Sequence, residues 1–203
     1  MTKNISLKIP QKTISSEIVF SSTFKEAFQK LEKTLKGKPF LFVSDTNIEP
    51  FLEKALKETS FEVSAKNKCI IDAGEKHKTM ESVQKILKAC FEARLDRDAI
   101  LVAVGGGVIG DITGFAASLF LRGVSVIQMP TSLLAMVDAS IGGKTGINTE
   151  YGKNLVGTLN QPAEIHVCYE WLTDLPEAEI KNGMCEMIKH GILGQKKHFK
   201  DFE

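Results

Sequence analysis

The chain of 203 residues has almost no net charge: 26 Lys and Arg stand against 25 Asp and Glu, a formal +1. It lacks the basic excess of a nucleic-acid binder and carries no acidic tail. Its four cysteines, Cys69, Cys90, Cys168 and Cys185, lie far apart and form no CxxC pair. With no secretory signal either, they read as reduced thiols of a cytoplasmic protein. The longest apolar runs, such as Ala99 to Val104, are far too short to span a membrane. There is no internal repeat and no low-complexity segment. A hydrophobic fraction of 43% with 25% charged residues predicts an ordinary soluble globule. The length suits one domain, or one domain plus part of another.

What is present is alternation. Two β-rich stretches, ISLKI and SEIVF, open the chain and predict an antiparallel start. A helix is expected over 23–36, with Phe24, Phe28, Leu31 and Leu35 on one face. A short buried strand follows from Phe40 to Val43, then a helix over 48–58 and a strand over 61–71. Residues 79–93 predict a helix with Val83, Ile86, Leu87 and Cys90 inward. Residues 99–104 are continuously apolar, as strands buried on both faces are. A helix from about 107 to 121 and a strand over 124–129 complete a βαβ series. The expected class is α/β, a parallel sheet with helices on both faces. Beyond it, 131–137 is short and helical, 138–162 is a long irregular stretch rich in Gly, Lys, Asn and Thr, and 164–168 suits a last strand. From Pro176 onward the pattern is helical.

Several stretches carry chemistry. Gly105, Gly106 and Gly107 end a strand and open a helix. Glycine lets backbone approach a ligand, and a helix N-terminus offers free N–H groups to a phosphate. The spacing is neither GxGxxG nor a P-loop, and a plain tight turn also accounts for it. Asp111, one turn on, suits a ribose or a helix start. Asp45 and Asn47 follow a strand at the edge where open α/β sheets bind ligands, and equally suit a helix cap. Glu75 and Lys78, in AGEKHKT, read on composition as a solvated loop. The stretch 138–154, DASIGGKTGINTEYGKN, gathers Asp138, Lys144, Lys153 and Asn154 among four glycines. It reads as a flexible loop suited to an anionic, hydroxylated substrate. In GMCEMIKHG, Glu186 stands at i, i+3 to Lys189 and at i, i+4 to His190. An ordinary ion pair is favoured over metal ligation there, since no HExxH completes the set. His77, His166 and His198 have no evident partners, and Trp171 reads as core or interface.

Four of these stretches, GGGVIGDITGFAAS, RGVSVIQMPTSLLAMVDASIGGKTGIN, YGKNLVGTLNQP and GMCEMIKHGIL, closely resemble the 3-dehydroquinate synthases among the sugar phosphate cyclases. The match runs in order from about residue 40 to residue 194. The resemblance implies conversion of a seven-carbon keto-acid phosphate, DAHP, to 3-dehydroquinate and phosphate in the shikimate pathway. It implies NAD used catalytically and a divalent metal, zinc or cobalt. By motif, Asp45 and Asn47 would meet the adenosine end of NAD, with Glu75 and Lys78 in its binding loop. Gly106, Gly107, Val108 and Asp111 would line its pyrophosphate and ribose, with Thr131 and Ser132 close by. Lys144, Lys153 and Asn154 would sit between cofactor and substrate. Asp138 and Lys189 would contact substrate, and Arg122 would reach its phosphate from the other subunit of a homodimer. Glu186 would be the first metal ligand, which overturns its pairing with His190.

The chain departs from the family in two respects. Asp174 stands where a Thr is usual and Ala178 where an Arg is usual, in TDLPEAE. The family also takes two histidine ligands from a second, helical domain, and His190 and His198 do not match them. The expected organisation is an NAD-binding α/β domain over 1–170 and the first helices of a metal- and substrate-binding domain over 171–203. NAD binding is expected to survive in this chain and turnover is not. The exposed face of the last helices should be apolar and prone to association. A related cyclase, a non-catalytic NAD-binding module and a metal-dependent polyol dehydrogenase are the other readings. No nucleic-acid or membrane partner is expected.

Overall fold

The computed structural model describes residues 15–57 and 63–194. Its framework is a six-stranded sheet: β1 Glu17–Ser21, β2 Phe40–Asp45, β3 Lys68–Ile71, β4 Ile100–Gly105, β5 Ser125–Pro130 and, latest in the chain, β8 Glu164–Cys168. The order across the sheet is β1-β8-β5-β4-β2-β3, and every pairing is parallel. The helices are α1 Phe24–Leu35, α2 Glu49–Lys57, α3 Met80–Glu92, α4 Gly107–Leu119 and α5 Glu177–Leu193. The first forms where expected because Thr23 caps it, accepting from Glu26 N while the Glu26 carboxylate accepts from Ser22 N at 2.9 Å.

The sheet has one core on each face, as the α/β reading requires. In β4, Leu101 and Ala103 pack with Val83, Ile86 and Cys90 of α3 and with α4. The alternate residues Ile100, Val102 and Val104 pack on the other face with Phe24, Phe28, Leu31 and Leu35 of α1 and with α2. A strand buried on both faces has no polar side, hence its unbroken apolar run. Leu87, expected inward, is only partly buried.

Four expectations need correction. β1 pairs parallel with β8, Glu17 opposite Glu164 and Ser21 opposite Cys168; ISLKI lies outside the described residues. Of the strand expected over 61–71, residues 61–62 lie outside the described residues, and the remainder becomes a strand at Lys68 after a 3-10 turn at Ala65–Asn67. Asn67 closes that turn, its Nδ2 donating to Phe40 O at 3.0 Å. The helix expected to reach 121 ends at Leu119, and the turn after it holds Leu121 (φ 48°) and Arg122 (φ 69°) in left-handed conformations.

The stretch 138–162 is not an irregular loop. After a π-helical turn at Ala135–Ala139 comes an antiparallel hairpin, β6 Lys144–Thr149 and β7 Gly152–Leu159. Its glycines are packing residues. A Cβ at Gly157 would lie 1.9 Å from Thr145 O, and one at Gly146 would lie 2.6 Å from Val156 O. The hairpin seats on α4 through Ile147, and a Cβ at Gly114 would lie 2.5 Å from Thr145 Cγ2. Composition hid the strands because close approach demanded glycine at strand positions.

α5 runs over the sheet's carboxyl edge with only Gly183 and Gly191 buried. Met184, Ile188, Ile192 and Leu193 are exposed along it, the apolar face expected of the last helices. No helix among the described residues is long and apolar enough to cross a membrane.

Phe28 is fully buried between α1 and β2. Phe28→Ala is expected to lower the free energy of unfolding by about 3–5 kcal/mol, read as a lower denaturant midpoint with an unchanged slope.

Candidate functional site

The chain leaves β2 outward to β3, then crosses back to β4 on the other side of β2. Helices that follow β2 and β4 therefore lie on opposite faces, and a crevice opens between the carboxyl ends of these two strands. A cleft of about 1070 Å³ occupies this edge. Asp45 and Asn47 enter it from the end of β2, and Gly74, Glu75 and Lys78 from the loop after β3. Gly106, Gly107, Val108 and Asp111 enter from the start of α4, and Thr131 and Ser132 from the end of β5. β7 contributes Lys153 and Asn154. Phe24, Ile48, Phe51 and Trp171 supply an apolar wall that the sequence reading had not assigned, with Glu170, Asp174 and Glu179 beside it.

The three glycines differ in what they do. None of Gly105, Gly106 and Gly107 has positive φ, so conformation alone does not require them. A Cβ at Gly105 would lie 2.7 Å from Ile109 Cβ, and one at Gly107 3.2 Å from Ala139 Cβ, so both are packing positions. A Cβ at Gly106 would meet only Ser132 Oγ, at an ordinary 3.6 Å. Gly106 is also the N-cap of α4, and no side chain caps that helix. Its first-turn N–H donors and its positive dipole end are thus left to the cleft.

Lys78 organises the opposite wall. Its side chain is only 6% exposed, and its ammonium pairs with Asp111 and donates to Asn154 Oδ1 at 2.5 Å. Burial pushes the Asp111 carboxyl above the usual carboxylate range, and the Lys78 ammonium pulls it back down. Burial likewise raises Asp45, against its hydrogen bonds from Asn47 N and Ile48 N at 2.9 and 3.1 Å. Asp45 is therefore both a turn-capping acid and a cleft residue. Lys153 lies 3.9 Å from Glu75, whose Oε1 accepts from Asn148 Nδ2 at 2.8 Å. Asn148 was missed by sequence reasoning; its only signal was its place in GGKTGIN.

Five expected site residues do not line this cleft. Asp138, Glu186 and Lys189 gather instead where α5 meets the π-helical turn. Lys189 pairs with Glu186, whose Oε2 is buried and makes no aligned hydrogen bond, and Lys189 is raised by that carboxylate. His190 lies 3.8 Å from Asp138, so the i, i+4 pairing with Glu186 does not form. Lys144 is exposed at the start of β6, close enough to Asp111 to lower its carboxyl. Arg122 is exposed beyond the far end of α4. His166, thought to lack a partner, is buried and bonds Glu164 Oε2 through Nε2 at 2.6 Å. His198 lies outside the described residues. Among the described residues no three His, Cys, Asp or Glu side chains gather as a metal site, so the Glu186 carboxylate alone does not fit a complete zinc centre.

A family profile described as 3-dehydroquinate synthase N-terminal matches residues 68–182. The 3-dehydroquinate synthase of Nostoc punctiforme is 41% identical over 207 residues, spanning 100% of this chain and 56% of that protein. The 3-dehydroquinate synthase of a Synechococcus strain is 50% identical over 149 residues, spanning 73% of this chain and 39% of that protein. The chain thus spans about half the length of the curated relatives it matches. Among solved structures, the 2-epi-5-epi-valiolone synthase ValA of Streptomyces hygroscopicus, with NAD+ and Zn2+ bound, superposes with a TM-score of 0.80 at 30% identity. That superposition covers 90% of this chain and 51% of ValA. A 2-deoxy-scyllo-inosose synthase complexed with carbaglucose-6-phosphate, NAD+ and Co2+ gives 0.75 at 25% identity, covering 88% of this chain and 48% of that one.

The Lys78–Asp111 pair yields a titration test. Lys78→Met removes the cation that holds the Asp111 carboxyl down, so Asp111 is expected to titrate at higher pH by carboxyl NMR. Its folded value then lies further above its unfolded one. The variant should therefore lose stability relative to the parent as pH rises through the carboxylate range. An Asp111 titration that does not move would refute this account of the pair.

Proposed function

The chain belongs to the 3-dehydroquinate synthase family, and from that premise we propose that its cleft binds NAD and that its whole protein converts DAHP to 3-dehydroquinate and phosphate. The observation that carries the cofactor reading is the uncapped start of α4, where Gly106 leaves room that no protein atom uses. A pyrophosphate fits such donors, and any side chain at Gly106 would compete with it. Asp45 and Asn47 suit the adenosine end. Glu75, Lys78, Asp111, Thr131 and Ser132 hold the rest of the cofactor. When bound, NAD supplies a hydride acceptor that is regenerated within the same cycle.

The residues around the cofactor then orient an anionic, hydroxylated substrate. Asn154 has given its oxygen to Lys78, so its NH2 remains as a donor for substrate or ribose oxygens. Lys144 and Lys153 add positive charge on the same hairpin. Asp138 and Lys189 form the substrate side, and Glu186 is one metal ligand for zinc or cobalt. The described residues supply only that ligand, so we infer that turnover needs ligands beyond them.

The remaining assignments rest on the same reading. The NAD-binding unit covers 1–170, and 171–203 begins the metal- and substrate-binding helices. The working form is a homodimer in which Arg122 of one copy serves the substrate phosphate of the other. The exposure of Leu119 and Leu121 around the left-handed Arg122 suits a surface held for a second copy. A cytoplasmic location agrees with four free cysteines. The likeness to ValA favours one second reading, a cyclase making a different ring.

Calorimetric titration with NAD tests the proposal. The chain is expected to bind NAD saturably and to show no turnover of DAHP. Gly106→Ala should weaken binding about tenfold or more with little change in thermal midpoint. A folded chain that takes up no NAD would sink the reading.

A further inference from the structure

The hairpin is not regular, and its irregularity falls at the cleft. Ile147 pairs with Val156, but Thr149 pairs with Gly152. One residue of β6, Asn148, therefore faces a three-residue stretch of β7 running from Lys153 to Leu155. This is a bulge, and bulges beside active sites re-aim side chains. Two of these three residues, Lys153 and Asn154, line the cleft, whereas Asn148 does not. Asn154 adopts φ 58°, unusual for a residue with a side chain.

Asn148 holds three parts of this arrangement at once. Its Oδ1 accepts from Asn154 N at 3.0 Å, inside the bulge. Its Nδ2 donates to Glu75 Oε1 at 2.8 Å. Its backbone N donates to Lys78 O at 2.8 Å. One half-buried side chain thus ties the hairpin to the loop after β3, using both ends of its amide. Asp in its place would lack the donor, and Ala would lack both groups.

We propose that Asn148 is the positioning residue of this cleft: it holds the β7 bulge that presents Lys153 and Asn154 and locks that bulge to Glu75. The proposal rests on the cofactor reading above only for the ligand it names. Asn148 does not line the cleft; it fixes residues that do.

The test uses the whole 203-residue chain, NAD as probe, calorimetry for affinity and NMR for the Asn154 amide. Asn148→Ala is expected to displace that amide resonance and to weaken NAD binding about tenfold. Asn148→Asp keeps the acceptor for Asn154 and loses the donor to Glu75, so affinity should fall while the amide stays near its parent position. Combining Asn148→Asp with Glu75→Gln reverses the direction of that hydrogen bond. Measured against Glu75→Gln alone, the added Asn148→Asp should then cost little affinity, whereas a general packing role would make it cost as much as it does in the parent. An unmoved Asn154 amide, or parent affinity, in Asn148→Ala overturns the proposal. Should that variant not fold, an equal loss of affinity on adding Asn148→Asp to the parent and to Glu75→Gln overturns it instead. If the parent chain takes up no NAD, the cofactor reading fails, and the Asn154 amide in Asn148→Ala still decides the role of Asn148.

Discussion

A buried ammonium has to be answered, and the answer given to Lys78 arranges the cleft. The Lys78 side chain has almost no solvent, so its charge requires acceptors within the protein. It finds them 33 residues away in Asp111 and 76 residues away in Asn154. Three segments distant in sequence are thereby fixed at one point: the loop after β3, the second turn of α4 and the bulge of β7. Removing one member would leave another buried and unpaired, which costs more than the pair contributes when complete. The same burial raises the Asp111 carboxyl, and the Lys78 ammonium beside it works in the opposite direction. The wall of the cleft is in this sense a single electrostatic unit.

The helix beneath it does two jobs through one residue type. Gly110 and Gly114 let α4 lie against Gln128 and Thr145, with no room for a Cβ. Gly106 is not pressed by protein at all. Gly110 seats α4 on β5, Gly114 brings the hairpin against the helix, and Gly106 leaves the helix start open. A single alanine at either kind of position would therefore fail for different reasons, one by steric contact within the fold and one by crowding what the fold holds.

Much of this was legible in the residues. The amphipathic stripe of α1 and the unbroken apolar run of β4 each follow from local period, and both appear where expected. The carboxyl edge of the sheet was expected from the general rule for α/β folds, and Asp45 and Gly106, with Thr131 from the family motif, line one cleft there. The hairpin did not, because Gly146 and Gly157 are demanded by cross-strand contact and read locally as loop. The partnership of Lys78 was equally hidden, since AGEKHKT resembles a solvated turn until a distant Asp and Asn close over it. Asn148 carries no local mark of its role; its three hydrogen bonds all run to other segments or across the bulge.

The seat of α5 has a mechanical consequence. A Cβ at Gly183 would lie 2.5 Å from Leu133 Cγ and 2.8 Å from Leu134 N, so the helix is seated closely on the body of the protein there. A rigid tilt of α5 about Gly183 has unequal arms. Leu193 lies about 15 Å from it and Glu186 about 4.5 Å, at 1.5 Å of rise per residue. A tilt of about 5° would swing Leu193 by roughly 1.3 Å and Glu186 by only about 0.4 Å, from the same helix geometry. The short arm carries the carboxylate and the long arm carries the exposed apolar end. Whatever pulls on that end is geared down threefold or so before it reaches Glu186.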